Sequence, residues 1–182
     1  MTAPERTPQQ WAQDMLMPGR SIIVDTETSD LDGSILEVAA IDAASGAVLL
    51  ETLVDPGDVP IHPDAAAVHG ISPDQLAGAP AWPLVFPVLA AVTMERVVLA
   101  YGADFDHGRV LHDCHRFGLD PQHLADRGRW GCIMRARSQA EGTEKNIRLG
   151  GAHRARGDAE AARVVLQGIA HGHRDDPATG VA

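Results

Sequence analysis

Long hydrophobic runs are absent from this chain of 182 residues. No stretch approaches the roughly 18 consecutive apolar residues that predict a membrane-spanning helix. The N-terminal residues MTAPERTPQQWAQDML also lack the basic and then apolar order that is typical of a secretory signal. The two cysteines, Cys114 and Cys132, lie far apart and form no CxxC motif, which predicts free thiols in a reducing compartment. These absences predict a cytoplasmic protein with no membrane partner.

Basic residues are outnumbered, and the formal net charge of −10 argues against a polyanionic partner. The charge is unevenly distributed along the chain. Residues 127–163 hold nine basic and four acidic residues, whereas residues 1–126 hold five basic and nineteen acidic residues. Divalent cations bound in the acidic part would reverse the local sign of the charge. The net charge therefore does not exclude a nucleic-acid substrate.

The chain is long enough for one domain, and its hydrophobic content of 45% supports a sizeable core. Apolar runs predict strands over 21–27, 35–44, 47–56 and 96–102, and the second and third of these are predicted to form a hairpin. Apolar residues at helical spacing predict helices over 81–95, 105–118, 130–140 and 158–172. Three strands followed by alternating helices and strands indicate an α/β fold with a mixed sheet.

Three parts of the chain differ in their pattern. Residues 1–20 contain an amphipathic stretch, which predicts a helical extension that docks through Trp11, Met15 and Leu16. Residues 21–172 hold all the predicted strands and form the predicted main domain. Residues 173–182 are predicted to be a disordered tail.

The acidic residues that follow apolar runs are the first candidates for a functional site. Asp25 and Glu27 end the run that begins at Ile22. Residues i and i+2 of a strand project from the same face, so both carboxylates are predicted to point to one side. Such a pair can bind a divalent metal, although a solvated strand end has the same pattern.

Two later segments supply further candidates. Asp106 follows the predicted strand 96–102 and begins a helix, where Asp106 or Asp104 could serve only as an N-terminal cap. Asp106 is the better candidate ligand if Phe105 points into the core. His153 precedes Asp158 by five residues, shortly before the last predicted helix. Taken alone, a single histidine of this kind also fits a structural or surface role.

The order of these segments carries more information than any one of them. D-x-E at 25–27, A-D-F-D at 103–106 and H-x4-D at 153–158 together resemble the DnaQ-like 3′–5′ exonuclease superfamily, in particular its histidine-type DEDD branch. VDTET (24–28) and AVHGIS (67–72) match the same pattern, and the resemblance runs from about residue 21 to residue 170. It implies a ribonuclease H-like fold, in which helices flank a mixed five-stranded sheet.

The resemblance also implies the parts of an active site. Asp25, Glu27, Asp106 and Asp158 would bind two Mg²⁺ or Mn²⁺ ions, which prefer oxygen ligands. His153 would be the general base that accepts a proton from the attacking water, a task for which histidine is suited near neutral pH.

Substrate contacts are implied at the backbone of Thr26 and Thr28 and at the side chains of Asp64 and His69. His69 equally fits a buried, hydrogen-bonded turn residue. Leu31 and Phe105 are candidate neighbours of the terminal bases, although core packing is the role predicted for Phe105. Arg154 and Arg156 are basic candidates that fit either contacts to the phosphate backbone or positions in a solvated loop.

Four positions depart from the pattern of the superfamily. Ser29 and Asp30 stand where Thr-Gly is usual, which predicts a left-handed backbone conformation at Asp30. Gly102 replaces an asparagine that supports the active-site strand, and Asp64 replaces a longer glutamate. These changes bear on affinity and substrate preference rather than on the reaction.

The predicted function is metal-dependent hydrolysis of single-stranded nucleic acid from its 3′ end, with release of nucleoside 5′-monophosphates. The residues of the motifs VDTET (24–28) and YGADFD (101–106) favour DNA over RNA. The alternatives are an exoribonuclease that acts on short RNA, a non-catalytic nucleic-acid-binding protein of the same fold, and a nucleotide phosphatase.

Overall fold

A mixed sheet of five strands forms the centre of the computed structural model, which describes residues 6–151 and 153–172. The strands are β1 (Ser21–Thr28), β2 (Ile35–Asp42), β3 (Val48–Leu53), β4 (Val97–Ala100) and β5 (Trp130–Cys132). Their order across the sheet is β3-β2-β1-β4-β5. β1 pairs antiparallel with β2 and parallel with β4, and β3 and β5 form the two edges.

Helices cover both faces of this sheet. They are α1 (Pro8–Met15), α2 (Pro63–His69), α3 (Pro73–Leu76), α4 (Trp82–Thr93), α5 (Ala103–Arg116), α6 (Ile133–Glu141) and α7 (Ala155–His171). Two short 3₁₀ turns, Gln122–Ala125 and Arg127–Arg129, precede β5. The predicted mixed five-stranded sheet with flanking helices is confirmed.

Alternate residues of β1 pack against different helical layers. Ile22 and Val24 belong to a buried cluster with Leu89 of α4. Ile23 belongs to a second cluster on the opposite face, which includes Leu166 of α7. Branched apolar residues suit a strand that is buried on both faces, and this burial fixes the register in which β1 presents its carboxyl end.

The N-terminal helix packs against the last helix. Met15 is buried in the second cluster, and Trp11 and Leu16 pack against it, as the amphipathic pattern predicts. Gln9 and Gln13 each donate a hydrogen bond from Nε2 to the carbonyl oxygen of Ala170, at 3.3 and 3.0 Å. No helix in the described part of the chain is both long and apolar enough to span a membrane. The predicted disordered tail lies outside the described residues.

Two boundaries differ from the sequence prediction. The segment 130–140 was predicted to be one helix, but its first three residues form β5 and pair parallel with β4 from Val98 to Ala100. Pairing with an existing strand edge supplies backbone hydrogen bonds that so short a segment could not gain alone. The last helix begins at Ala155, three residues before the predicted start at Asp158.

Candidate active site

The carboxyl ends of the parallel strands β1 and β4 meet at one edge of the sheet, and the candidate residues lie there. Asp25 and Glu27 lie on the same face of β1 as Ile23, the face that packs against α7. Asp106 lies in the first turn of α5, directly after β4. A cleft of about 280 Å³ at this edge is lined by all five residues predicted to be catalytic: Asp25, Glu27, Asp106, His153 and Asp158.

Three of the four predicted metal ligands form a tight group. Carboxylate oxygens of Asp25, Glu27 and Asp158 all lie within 4.8 Å of one another. Asp106 lines the same cleft but lies outside this group, and its Oδ1 accepts a hydrogen bond of 2.9 Å from the hydroxyl of Thr26. Thr26 therefore holds Asp106 in place across the gap between β1 and α5.

The crowding of the carboxylates changes their protonation. Burial, followed by the charges of Asp106, Glu27 and Asp158, raises the pKa of Asp25 well above its usual value. Burial, followed by the charges of Asp158 and Glu37, raises the pKa of Glu27 to about 7. Burial also raises the pKa of Asp106 to about 7. Without cations between them, these side chains retain protons up to neutral pH.

The donor set fits divalent cations. Carboxylate oxygens are the ligands that Mg²⁺ and Mn²⁺ prefer, and Asp25, Glu27 and Asp158 bring theirs close enough to share an ion. A cation among them would offset the repulsion that raises the pKa values of Asp25 and Glu27.

The segment that carries His153 is fixed by Asp158. The backbone N–H of His153 donates a hydrogen bond of 3.2 Å to Asp158 Oδ1. His153 has φ +52°, a left-handed conformation that is uncommon outside glycine. A side chain on Gly151 would place its Cβ 1.9 Å from Asp158 Oδ1, so this position requires glycine. His153 is exposed at the wall of the cleft, where its ring is accessible to solvent and substrate.

Glu37 of β2 fixes the start of α7. Its side chain is buried and accepts two hydrogen bonds from the guanidinium of Arg154, one of them 3.0 Å long. Glu37 Oε2 also accepts a hydrogen bond of 2.9 Å from the backbone N–H of Ala155, the first residue of α7. Glu37 thus holds the helix start between His153 and Asp158, and Arg154 is engaged with a carboxylate.

Arg156, the second basic residue of this segment, is also paired with carboxylates. Its guanidinium lies 2.8 Å from Glu160 Oε1 and 3.2 Å from Glu51 Oε2. Both arginines that were candidates for contacts to the phosphate backbone therefore form ion pairs within the protein.

A pocket of about 510 Å³ adjoins the cleft and shares Thr26, Glu27 and Phe105 with it. We call it the α2 pocket, because its far wall is formed by His62 and by residues of α2. Exposed apolar side chains contribute to the wall. All five residues predicted to contact substrate line it: Thr26, Thr28, Leu31, Asp64 and His69.

The ring nitrogens of His69 are both engaged with the backbone. Nδ1 accepts a hydrogen bond of 2.9 Å from the N–H of Ile71, which leaves the proton on Nε2. Nε2 lies 3.2 Å from the carbonyl oxygen of Thr28 and donates to it. This arrangement favours the structural alternative for His69, in which the ring ties α2 to the end of β1.

Two details of the sequence prediction are wrong. Phe105 was predicted to pack in the core, but 36% of it is exposed. In the first turn of α5, Ala103 and Asp106 face the sheet, so Phe105 projects outward into the cleft.

Asp30 was predicted to have a left-handed backbone conformation. Asp30 is not among the described non-glycine residues with positive φ, which are His153 and two others. The turn after β1 instead depends on Gly33, where a Cβ would lie 2.2 Å from Ser29 Oγ.

Comparison with known proteins agrees with this arrangement. The family model described as an exonuclease (RNase_T) matches residues 22–166, which include all four carboxylates and His153. The chain belongs to this exonuclease family. The resemblance to the DnaQ-like superfamily is confirmed.

Among curated proteins, this chain resembles an uncharacterized exonuclease, CP81, of Escherichia phage 186, with 36% identity over 101 residues. It also resembles exodeoxyribonuclease 10 of Escherichia coli K12, with 33% identity over 116 residues. These matches cover 54% and 62% of this chain. They cover 51% and 44% of the relatives, so the chain spans about half the length of the curated proteins it matches.

Solved structures confirm the ribonuclease H-like fold. The nuclease domain of 3′hExo, a DEDDh family member bound to rAMP, has a TM-score of 0.63 at 16% identity and covers 86% of this chain and 94% of its own. Exonuclease X in complex with 5′ overhanging duplex DNA has a TM-score of 0.52 at 25% identity. That match covers 85% of this chain and 94% of the other.

Glu37 was not predicted to belong to the site, although the sequence contains a signal. It is the one acidic residue within the apolar run Ile35–Ile41. A charged residue in a buried strand is costly unless it is paired, so its position predicts a partner from another segment. The sequence does not identify Arg154 as that partner, because the two residues are 117 positions apart.

We expect Glu37→Gln to lower kcat by about 10- to 100-fold, the scale for small misplacements of catalytic groups. The amide cannot accept two charge-assisted bonds from Arg154 while it also caps Ala155, so the start of α7 loosens. The Mg²⁺ concentration needed for half-maximal rate should rise, which a steady-state titration measures. Glu51→Gln removes an exposed carboxylate from the neighbouring strand and should leave both values unchanged. Equal values for Glu37→Gln and wild type would contradict this role.

Proposed function

We propose that this chain is a metal-dependent 3′–5′ exonuclease that removes nucleotides from single-stranded nucleic acid, DNA in preference to RNA, and releases nucleoside 5′-monophosphates. The observation that carries the proposal is the cleft in which the D-x-E, D and H-x4-D residues of three separate segments meet. Membership of the exonuclease family supports the same reaction.

The residues of the cleft can be assigned roles in hydrolysis. Asp25, Glu27, Asp106 and Asp158 would hold two Mg²⁺ or Mn²⁺ ions, which supply electrostatic stabilisation to the scissile phosphate when they are bound. Thr26 keeps the Asp106 carboxylate oriented through its hydroxyl. His153 accepts the proton of the attacking water on a ring nitrogen, because it is the histidine that lines this cleft.

The α2 pocket is suited to the terminal nucleotide. Leu31, Val68 and Phe105 expose apolar surface there, on which a base can stack. The side chain of Asp64 is almost fully exposed and can accept a hydrogen bond from a 3′-hydroxyl group. In this arrangement the terminal base lies in the α2 pocket and the scissile phosphate lies over the carboxylates.

The preference for DNA is supported by similarity. One curated relative is named an exodeoxyribonuclease, and a solved relative of 25% identity is in complex with duplex DNA. The two free cysteines in the described residues are consistent with the predicted reducing, cytoplasmic location.

Cleavage of 5′-labelled single-stranded DNA and RNA of one sequence tests the proposal directly. With Mg²⁺ present, we expect a ladder that shortens from the 3′ end, faster on DNA, and nucleoside 5′-monophosphates as products. Asp25→Asn protein purified in the same way controls for contaminating nucleases. Faster cleavage of RNA would favour the exoribonuclease alternative. Binding without cleavage of either strand would favour the non-catalytic one.

A further inference from the structure

A second pair of cavities continues from the acidic cleft. One, of about 580 Å³, lies between the start of α5 and α6 and shares Gly102 and Phe105 with the cleft. The next, of about 560 Å³, shares Asp104 and Arg135 with the first and extends to α1. We call the two together the arginine groove. Its charged and aromatic lining residues are Arg6, Trp11, Asp104, Phe105, Arg127, Trp130, Arg135 and Glu144.

The passage from the cleft into this groove is open at Gly102. A Cβ built on Gly102 would meet no atom within 4 Å. Glycine therefore leaves this point free of a side chain. The cleft therefore has two neighbouring cavities, the α2 pocket through Thr26 and Glu27 and the groove through Gly102.

The groove carries arginine side chains that the cleft lacks. Three arginines and two carboxylates line it, and Arg6 is paired with Asp14 at 2.9 Å, whereas the cleft gathers four carboxylates. Asp104 holds two of these arginines together: Arg127 Nε lies 2.7 Å from Asp104 Oδ1, and Arg135 lies 3.6 Å from Oδ2. One carboxylate shared by two guanidinium groups leaves an excess positive charge at the middle of the groove.

Arg135 retains the most capacity to bind an anion. Its side chain is 66% exposed. Among the described residues it forms one long ion pair, with Asp104. A guanidinium group carries five N–H donors in a planar fork that matches phosphate oxygens. Arg127, in contrast, also donates to the carbonyl oxygen of Trp130 at 2.7 Å and is more constrained.

We propose that the arginine groove binds the nucleotides on the 5′ side of the scissile phosphate, with Arg135 as a contact to their backbone. The inference rests on the proposed function, because it takes the α2 pocket as the site of the terminal nucleotide. A strand whose 3′ end fills that pocket has to leave the cleft elsewhere, and the passage at Gly102 leads into the cavity that Arg135 lines. Basic channels that follow the backbone bind single strands without regard to sequence. Trp11 makes α1 part of this surface.

The test compares wild type with Arg135→Gln on substrates of different length. The 4-nitrophenyl esters of thymidine 5′-monophosphate and of deoxyadenosine 5′-monophosphate occupy the cleft and the α2 pocket, whereas a long oligonucleotide also crosses the groove. We expect Arg135→Gln to lower kcat/KM on the oligonucleotide by about tenfold, the scale of one hydrogen bond to a charged group. The short substrates should be unaffected. The slope of log kcat/KM against log salt concentration should become shallower by about 0.7.

Two further variants separate this contact from a general effect of charge. Arg20→Gln removes the same charge from a side chain that lines neither cavity and pairs with Asp14, so its rates should match wild type. Asp104→Asn frees two guanidinium groups and should raise kcat/KM on the oligonucleotide.

The outcomes distinguish the two proposals. Equal losses on short and long substrates, or no loss on the long one, would overturn the role of the groove while leaving the exonuclease activity in place. Wild-type protein that cleaves none of the three substrates would overturn the proposed function and the groove together.

Discussion

Asp25→Asn should lower the rate of 3′ cleavage by about 10³-fold or more, because bound metal ions contribute several kcal/mol to such reactions. The same change should stabilise the metal-free protein at neutral pH. Asn has nearly the shape of Asp but carries no charge, so it removes a carboxylate whose pKa is raised by burial and by the charges of Asp106, Glu27 and Asp158. A gain in stability together with a loss of activity is the expected result for a residue whose negative charge is needed to bind metal but destabilises the metal-free protein.

The dependence of stability on pH follows from the direction of the pKa shifts. Glu27 has a raised pKa of about 7 in the folded protein, and so does Asp106, above the usual values in an unfolded chain. Between those values the unfolded state loses protons that the folded state keeps, so metal-free stability falls as pH rises from about 4 to about 7. In Asp25→Asn this fall should be smaller, because the variant lacks the Asp25 carboxyl, whose own pKa is raised well above its usual value in the folded protein.

Thermal unfolding of both proteins over this pH range, with EDTA and with Mg²⁺, measures these effects. Mg²⁺ should raise the Tm of wild type more than that of Asp25→Asn. Asp74→Asn is a matched control, since it removes an exposed carboxylate from α3 that lines none of the cavities of the site. Full activity of Asp25→Asn, or an equal Mg²⁺ effect on both Tm values, would contradict the proposed metal site.

The parts of the fold that local sequence determines were predicted. The run Ile22–Val24 is apolar on both faces and predicts a buried strand, so the position and direction of Asp25 and Glu27 follow from it. The same reasoning places Asp106 after β4. In both segments the hydrophobic effect acts on neighbouring residues, and sequence order is enough to describe it.

The parts that were missed depend on contacts between distant segments. α7 begins at Ala155 because Glu37, on β2, accepts the hydrogen bond of its first N–H. β5 is a strand because the edge of β4 lies beside it. Phe105 faces the cleft because Asp106, anchored by Thr26 on β1, takes the inward position in the first turn of α5. In each case the deciding partner is more than 25 residues away.

The positions of the arginines bear on how an acidic protein would bind a polyanion, as the proposed function requires. The four carboxylates that dominate the cleft are the predicted cation ligands, and the described arginines near it differ in availability. Arg154 and Arg156 form ion pairs beside the carboxylates, whereas Arg135 remains exposed at the groove. Under the two proposals, the groove would bind phosphate groups and the cleft would hydrolyse the scissile one.

Replacement of His153 should lower kcat by about 10²–10⁴-fold, the range for loss of a general base. The choice of substitute matters, because His153 has φ +52° and most residues are strained in that conformation. Asparagine tolerates it, so His153→Asn isolates the loss of the imidazole, while His153→Ala adds backbone strain. Both variants should keep the Mg²⁺-dependent shift in Tm, since the carboxylates are unchanged.

The pH profile of the variants distinguishes a base from a residue that only shapes the loop. In wild type, kcat should rise as the base loses its proton, and His153→Asn should lack that limb of the profile. Because the His153 side chain is exposed, added imidazole should enter the cleft and restore part of the rate. His112→Ala, an exposed histidine of α5 that lines none of these cavities, should behave as wild type. If His153→Asn keeps both the wild-type rate and the wild-type pH profile, the proton must leave by a route other than this imidazole.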